Sequence, residues 1–186
     1  MKVNERRSTT ITIVVTSPHL AMWQPKVTVH LADSKEPSNS RQGVTMSDDK
    51  IFKVAIVGGR DFNDIGLLTR KCNKFLALKR SQGYRIQVLC GMAKGADLLG
   101  KEYAKRINYE VIEFPANWHD LEEKPCKVRT NNYGDYNTLA GMNRNQRMRN
   151  AADAIIAFWD GESSGTKEMI DMSKKMDLLV RVVYYG

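Results

Sequence analysis

An α/β fold is the class that the sequence predicts: a single Rossmann-like, doubly wound parallel sheet of about five strands with helices on both faces. Three observations predict it. From residue 50 onward, short apolar runs alternate with amphipathic stretches five times. The apolar runs are nearly continuous, as strands buried on both faces require. The first four end in turns that carry glycine or proline.

The elements follow in order. Residues 52–57 (Phe-Lys-Val-Ala-Ile-Val) make the first strand and run into Gly58-Gly59. Residues 64–80 place Ile65, Leu68, Cys72, Phe75, Leu76 and Leu78 near helical spacing, and Gly83 stops that helix. Residues 85–90 make the second strand, ended by Gly91. Residues 95–106 make the second helix, with Ala96, Leu98, Leu99, Tyr103 and Ala104 as its apolar side. Residues 109–114 are the third strand, stopped by Pro115. Residues 117–137 are polar and irregular, with Pro125 and Gly134, and read as a long surface loop. A third helix over 139–152 and a fourth strand over 154–159 follow, the strand ended by Asp160-Gly161. A fourth helix over 166–175 and a fifth strand over 178–184 complete the pattern. Right-handed crossovers then give the strand order 3-2-1-4-5. In such sheets ligands bind beyond the carboxyl ends of the strands, where the winding reverses. Here that crevice lies between the loop after Val57 and the loop after Trp159.

Residues 1–49 show no such pattern. Residues 11–15 and 27–31 are each apolar enough for a short strand, but Pro18, Pro25, Pro37 and the polar stretch 34–45 interrupt them. The expectation is a poorly ordered N-terminal extension over 1–49 and one folded domain over 50–186. The rival reading is a β-hairpin packed on the domain. Met46 is a second candidate start. No secretory leader is expected, because an apolar core and a small-residue cleavage site are missing.

Composition bounds the function. The 186 residues are 42% apolar and 27% charged, which excludes disorder throughout. No apolar run approaches the ~18 residues of a membrane span, so no membrane partner is expected. Cys72, Cys90 and Cys126 are scattered and odd in number, which excludes a disulfide framework and fits a reducing, cytoplasmic location. Cys90 ends a buried strand and reads as packing. His19, His30 and His119 do not cluster, so neither a metal site nor a cofactor is expected. The formal charge of +8 favours an anionic partner: a nucleotide, nucleic acid or an acidic surface. A mildly cationic solvated surface accounts for it equally, since no basic block is present.

The strand-end turns carry the chemistry. They are Gly58-Gly59-Arg60-Asp61, Gly91-Met92-Ala93-Lys94-Gly95-Ala96-Asp97 and Asp160-Gly161-Glu162-Ser163-Ser164-Gly165-Thr166. Each is a glycine-bearing turn that opens a helix. Free N–H groups at a helix start attract anions. Gly59, Gly91, Gly161, Ser164, Gly165 and Thr166 are therefore candidates to cradle phosphate. A tight structural turn is the alternative for each one. Neither a dinucleotide fingerprint nor a P-loop is present. Arg60 is a candidate for a base or phosphate, or else a salt-bridge partner of Asp61. Asp97 accepts a ribose hydroxyl or caps its helix. Lys94 contacts phosphate or is simply exposed. Trp118, Tyr133 and Tyr136 stack on a base or anchor their own loop.

Four ordered motifs carry a family resemblance. They are Val-Ala-Ile-Val-Gly-Gly-Arg-Asp-Phe (54–62), Cys-Gly-Met-Ala-Lys-Gly-Ala-Asp (90–97), Ala-Gly-Met-Asn-Arg-Asn-Gln-Arg-Met (140–148) and Ala-Asp-Ala-Ile-Ile-Ala-Phe-Trp-Asp-Gly-Glu-Ser-Ser-Gly-Thr (152–166). Together they resemble the YspA, or cpYpsA-related, family of the SLOG superfamily over about residues 52–184. The resemblance implies a Rossmann-like domain that senses or processes nucleotides or nucleotide-derived ligands. It also implies that Arg144 and Asn145 face the crevice. Their alternative is a solvated helix face shared with Arg147 and Arg149. A homodimer is a further expectation from the resemblance.

Related LOG-type phosphoribohydrolases carry Pro-Gly-Gly-x-Gly-Thr-x-x-Glu. In this chain Met169 holds the position of that glutamate, and Glu168 is one residue early. On a helix this turns Glu168 by about 100°, so it is expected to point elsewhere. Glu162 and Asp160 remain as candidate catalytic carboxylates. The leading expectation is binding or sensing of a nucleotide-derived ligand, of ADP-ribose/NAD or nucleoside phosphate type. The alternatives are hydrolysis of an N-glycosidic or phosphate bond, and single-stranded nucleic acid binding, the latter from the resemblance to the DNA-processing protein DprA and the basic charge.

Overall fold

The computed structural model describes residues 50–186. The expected extension over 1–49, with its two candidate strands, lies outside the described residues.

The chain runs β1 (Ile51–Gly58), α1 (Ile65–Ser81), β2 (Arg85–Cys90), α2 (Ala96–Arg106), β3 (Glu110–Glu113), β4 (Val128–Asn131), β5 (Gly134–Asn137), α3 (Ala140–Ala151), β6 (Ala154–Trp159), α4 (Ser164–Lys175) and β7 (Leu179–Tyr184). Five strands form one parallel sheet in the order β3-β2-β1-β6-β7. That is the predicted winding. It sets β1 beside β6, with Gly58 level with Phe158 at the carboxyl edge.

Alternation along the strands divides the core in two. Val54, Ile56, Phe158 and Val88 face Leu68, Cys72 and Tyr103 from α1 and α2. Ala55, Val57, Leu89, Ile155 and Ala157 face Met148 of α3 and Met169 and Ile170 of α4. Residues i and i+2 of a strand share a face, so both sides of the apolar runs are used. Asp64 caps α1 by accepting the Leu67 N–H at 2.7 Å, and Lys79 and Arg80 complement its C-terminal end.

Residues 117–137 are not an irregular loop throughout. β4 and β5 pair as an antiparallel hairpin, with Val128 opposite Asn137 and Asn131 opposite Gly134. Its strands are polar and almost wholly exposed, so no apolar alternation marks them. Polar staples hold the segment instead. The fully buried Asn137 accepts the N–H groups of Lys127 and Leu139, each at 3.0 Å. From α3, Arg147 donates to Glu123 at 2.7 Å and to the Pro115 carbonyl at 2.8 Å, and Asn143 donates to the Pro125 carbonyl at 3.0 Å. No helix among the described residues is long and apolar enough to cross a membrane.

Candidate functional site

Where β1 and β6 end, two turns lock together. Gly59 donates its N–H to the Phe158 carbonyl at 3.1 Å, and its own carbonyl accepts the Ala96 N–H at 3.2 Å. Gly95, at φ +79, lets α2 start against this carbonyl; a Cβ there would stand 2.1 Å from the Gly59 oxygen. On its other flank the β1–α1 turn is held by Tyr185, whose hydroxyl donates to Asp61 at 2.8 Å. Asp61 is thus engaged away from Arg60, and no Arg60–Asp61 ion pair occurs among the described residues.

These turns, α3 and the start of α4 enclose a cleft of about 330 Å³. Of the residues singled out in the sequence, Gly58, Arg60, Asp97, Arg144, Asn145, Ser163, Ser164, Gly165 and Thr166 line it. An adjoining open hollow of about 500 Å³ shares Arg60, Ser163, Ser164 and Gly165 and adds Gly59, Asp61 and Asp160. Gly91, packed against Arg144 and Asp97, and Gly95, packed against the Gly59 carbonyl, line neither space. Lys94, Gly161 and Glu162 are exposed and line neither space. Trp118 packs toward Gly141, Tyr133 is 90% exposed beside the hairpin turn, and Tyr136 is half-buried. None of these three rings lines the cleft.

The cleft is polar and organised around two linked pairs. Asp97 is 4% exposed. It does not cap α2, whose cap position is Gly95. Its Oδ2 lies 3.6 Å from Arg144 Nη1. Burial pushes the Asp97 carboxyl up to about 6, against the opposing pull of Arg144 and the N–H groups of Ala93 and Gly91. Gly91 makes this packing possible, since a Cβ there would stand 2.2 Å from Arg144 Nη1 and 2.5 Å from Asp97 Oδ2. Arg144 Nε donates to Asn145 Oδ1 at 2.9 Å, which fixes the guanidinium plane.

The second pair corrects the expectation for Glu168. Its carboxylate lines the cleft instead of pointing elsewhere. Oε1 accepts from Arg149 Nη1 at 2.8 Å, and Oε2 faces Asn145 Nδ2 at 3.5 Å. The side of α4 that meets α3 carries Glu168, and the buried Arg149 draws it there. Arg149 also shows that this stretch of α3 is no solvated face. Met169, at the position of the LOG glutamate, is 1% exposed and belongs to the core.

The start of α4 is open to an anion. Asp160 Oδ1 accepts the N–H groups of Glu162 and Ser163 at 2.9 and 2.8 Å, which hold its carboxyl below the usual range. Ser163 occupies the cap position, but its hydroxyl meets the Thr166 hydroxyl at 3.1 Å and caps no backbone N–H, and no acidic residue stands in the first turn. The N–H groups of Ser164, Gly165 and Thr166 therefore meet the cleft without a capping side chain. Sequence reasoning missed Glu168, Arg149 and Tyr185. Only the i, i+4 placement of Asn145 and Arg149 on α3 hinted at a shared partner.

A parallel sheet with this winding defines a Rossmann-like domain. The model of the YspA, cpYpsA-related SLOG family matches residues 52–120, which hold β1 to β3 and two of the three glycine-bearing turns. The resemblance read from the motifs holds over that stretch, and the family indicates a nucleotide-related function. No curated protein and no solved structure matches the chain significantly.

Proposed function

We propose that the cleft binds and senses a nucleotide or nucleotide-derived ligand, a nucleoside phosphate or an ADP-ribose/NAD-like molecule. One observation carries this reading: Arg60, Arg144 and the uncapped first turn of α4 converge on a single cleft. A phosphate seated on Ser164, Gly165 and Thr166 receives backbone N–H and hydroxyl donors together with the helix dipole. Arg144, already oriented by Asn145, supplies a planar fork for phosphate oxygens. Ala93, Gly141 and Met142 leave an apolar wall for the remainder of the ligand. A volume of about 330 Å³ suits a small molecule of nucleotide size.

A second reading, cleavage of the nucleotide, is favoured by the Glu168 carboxylate in the cleft. Both its oxygens face donors from α3, so a cleavage step first requires Glu168 to be released from Arg149 or Asn145.

The test is a thermal-shift panel on the full chain with nucleoside mono-, di- and triphosphates, NAD, ADP-ribose and short single-stranded DNA. Each mixture is also resolved by chromatography. A ligand at a hundred times its Kd adds about 2.7 kcal/mol. Stabilisation by a nucleotide that stays intact is the expected result. Release of free base or phosphate instead establishes the second reading. Response to DNA alone, fading steeply with salt, overturns both.

A further inference from the structure

The polar groups around the cleft are mostly donors. Arg60 and Arg144 can only donate, and the first turn of α4 presents N–H groups. The carboxyl groups among them are Asp97 and Glu168. Glu168 has both oxygens facing α3 donors. Asp97 is held differently, by Arg144 and the backbone N–H groups of Ala93 and Gly91. It lines the cleft while 4% exposed, and its ion pair with Arg144 is loose at 3.6 Å. Arg144 spends its Nε on Asn145 and not on Asp97.

We infer that Asp97 is the residue that selects ribose over deoxyribose, by accepting a hydrogen bond from a sugar hydroxyl. This rests on the proposed nucleotide reading and deepens it. A buried carboxylate facing a ligand is tolerated when the ligand returns a donor to it, and is costly otherwise. Position decides which donor. Asp97 touches the same guanidinium that meets the phosphate, so the ligand group it faces lies beside the phosphate. In a nucleotide that group is the sugar, and the base edge lies further out. A site built to hydrogen-bond a hydroxyl rejects the analogue that lacks it far more strongly than an apolar pocket does.

The experiment titrates the full chain with adenosine, guanosine, cytidine and uridine 5′-monophosphates, each beside its 2′-deoxy and 3′-deoxy counterparts. The wild-type protein is expected to bind at least one ribonucleotide tenfold or more tightly than one of its deoxy forms. In Asp97→Ala, which has no acceptor, that ratio is expected to collapse toward one. In Asp97→Asn, whose amide oxygen still accepts a neutral hydrogen bond, the ratio is expected to fall but to stay above that of Asp97→Ala. Equal binding of ribo and deoxy forms by the wild-type protein overturns the inference and leaves the nucleotide reading standing. A strong preference among bases without a sugar preference places the base at Asp97 and also overturns it. Failure of every nucleotide in the panel to bind removes the nucleotide reading itself, and this inference with it.

Discussion

The two faces of the sheet are built from different materials. The face covered by α1 and α2 is rich in aromatic rings: Phe52, Phe62, Tyr103 and Phe158 fill it, and Phe62 stacks on Phe158 with centroids 4.8 Å apart. The face covered by α3 and α4 uses Ala55, Ala152 and Ala157 with two methionines, and the buried Arg149 pairs there with the half-buried Glu168. Large rings give the first face rigidity through area. The second face gives up area for polar groups that must be paired, and Arg149 Nε is left without a partner even so. The cleft at the carboxyl edge draws most of its charged groups from the second side, Arg144 from α3 and Glu168 from α4, while α2 adds Asp97 and the β1–α1 turn adds Arg60. The comparison teaches a division of labour: one face gains stability from ring area, and the other carries charged groups that must be paired, beside the proposed site.

The sharpest way to break this contrast is to truncate each face. Phe158→Ala removes a fully buried ring and is expected to cost about 4 kcal/mol, read from urea unfolding. Glu168→Gln keeps the shape but strips Arg149 of its counter-charge. Glu168 is part-exposed, so a loss of about 2 kcal/mol is expected, smaller than for a fully buried pair. If both variants unfold alike, the faces do not differ in the way described.

Asp97→Asn is expected to act in the opposite direction. The folded carboxyl sits at about 6, above its ordinary value of 3.8, so the folded state holds its proton more tightly than the unfolded chain does. The contribution of Asp97 to wild-type stability therefore falls as pH rises from about 4 to about 6, then levels off. The variant lacks that slope and is expected to be more stable at pH 7 by on the order of 2 kcal/mol. Urea midpoints measured across pH 4 to 7 read this directly. A difference between variant and wild type that does not grow with pH over this window contradicts it.

How much of this was legible in the sequence differs between the same two faces. Continuous apolar runs fixed the five parallel strands and their order, because strands 52–57, 85–90 and 154–159 admit no solvated face. The glycine turns marked the carboxyl edge for the same reason. The hairpin β4–β5 was not legible, since its residues carry exposed polar side chains and Asn137 does its anchoring through side-chain bonds. Glu168 was misread because helical geometry gives angles around one axis only. Which side of α4 meets α3 depends on Arg149 and Asn145, nineteen and twenty-three residues away.

The smallest expected effect on folding makes the most direct test of the site. Nothing lies within 4 Å of a Cβ added at Gly165, and its φ is not in the left-handed region. Gly165→Val is thus expected to change stability by no more than about 0.5 kcal/mol, while its side chain crowds the first turn of α4 where a phosphate would sit. The decisive measurement is isothermal titration of the wild-type chain and Gly165→Val with whichever nucleotide gives the largest thermal shift. The account predicts binding by the wild-type chain and a loss of at least a hundredfold in the variant at unchanged melting temperature. Equal affinity in both proteins would contradict it.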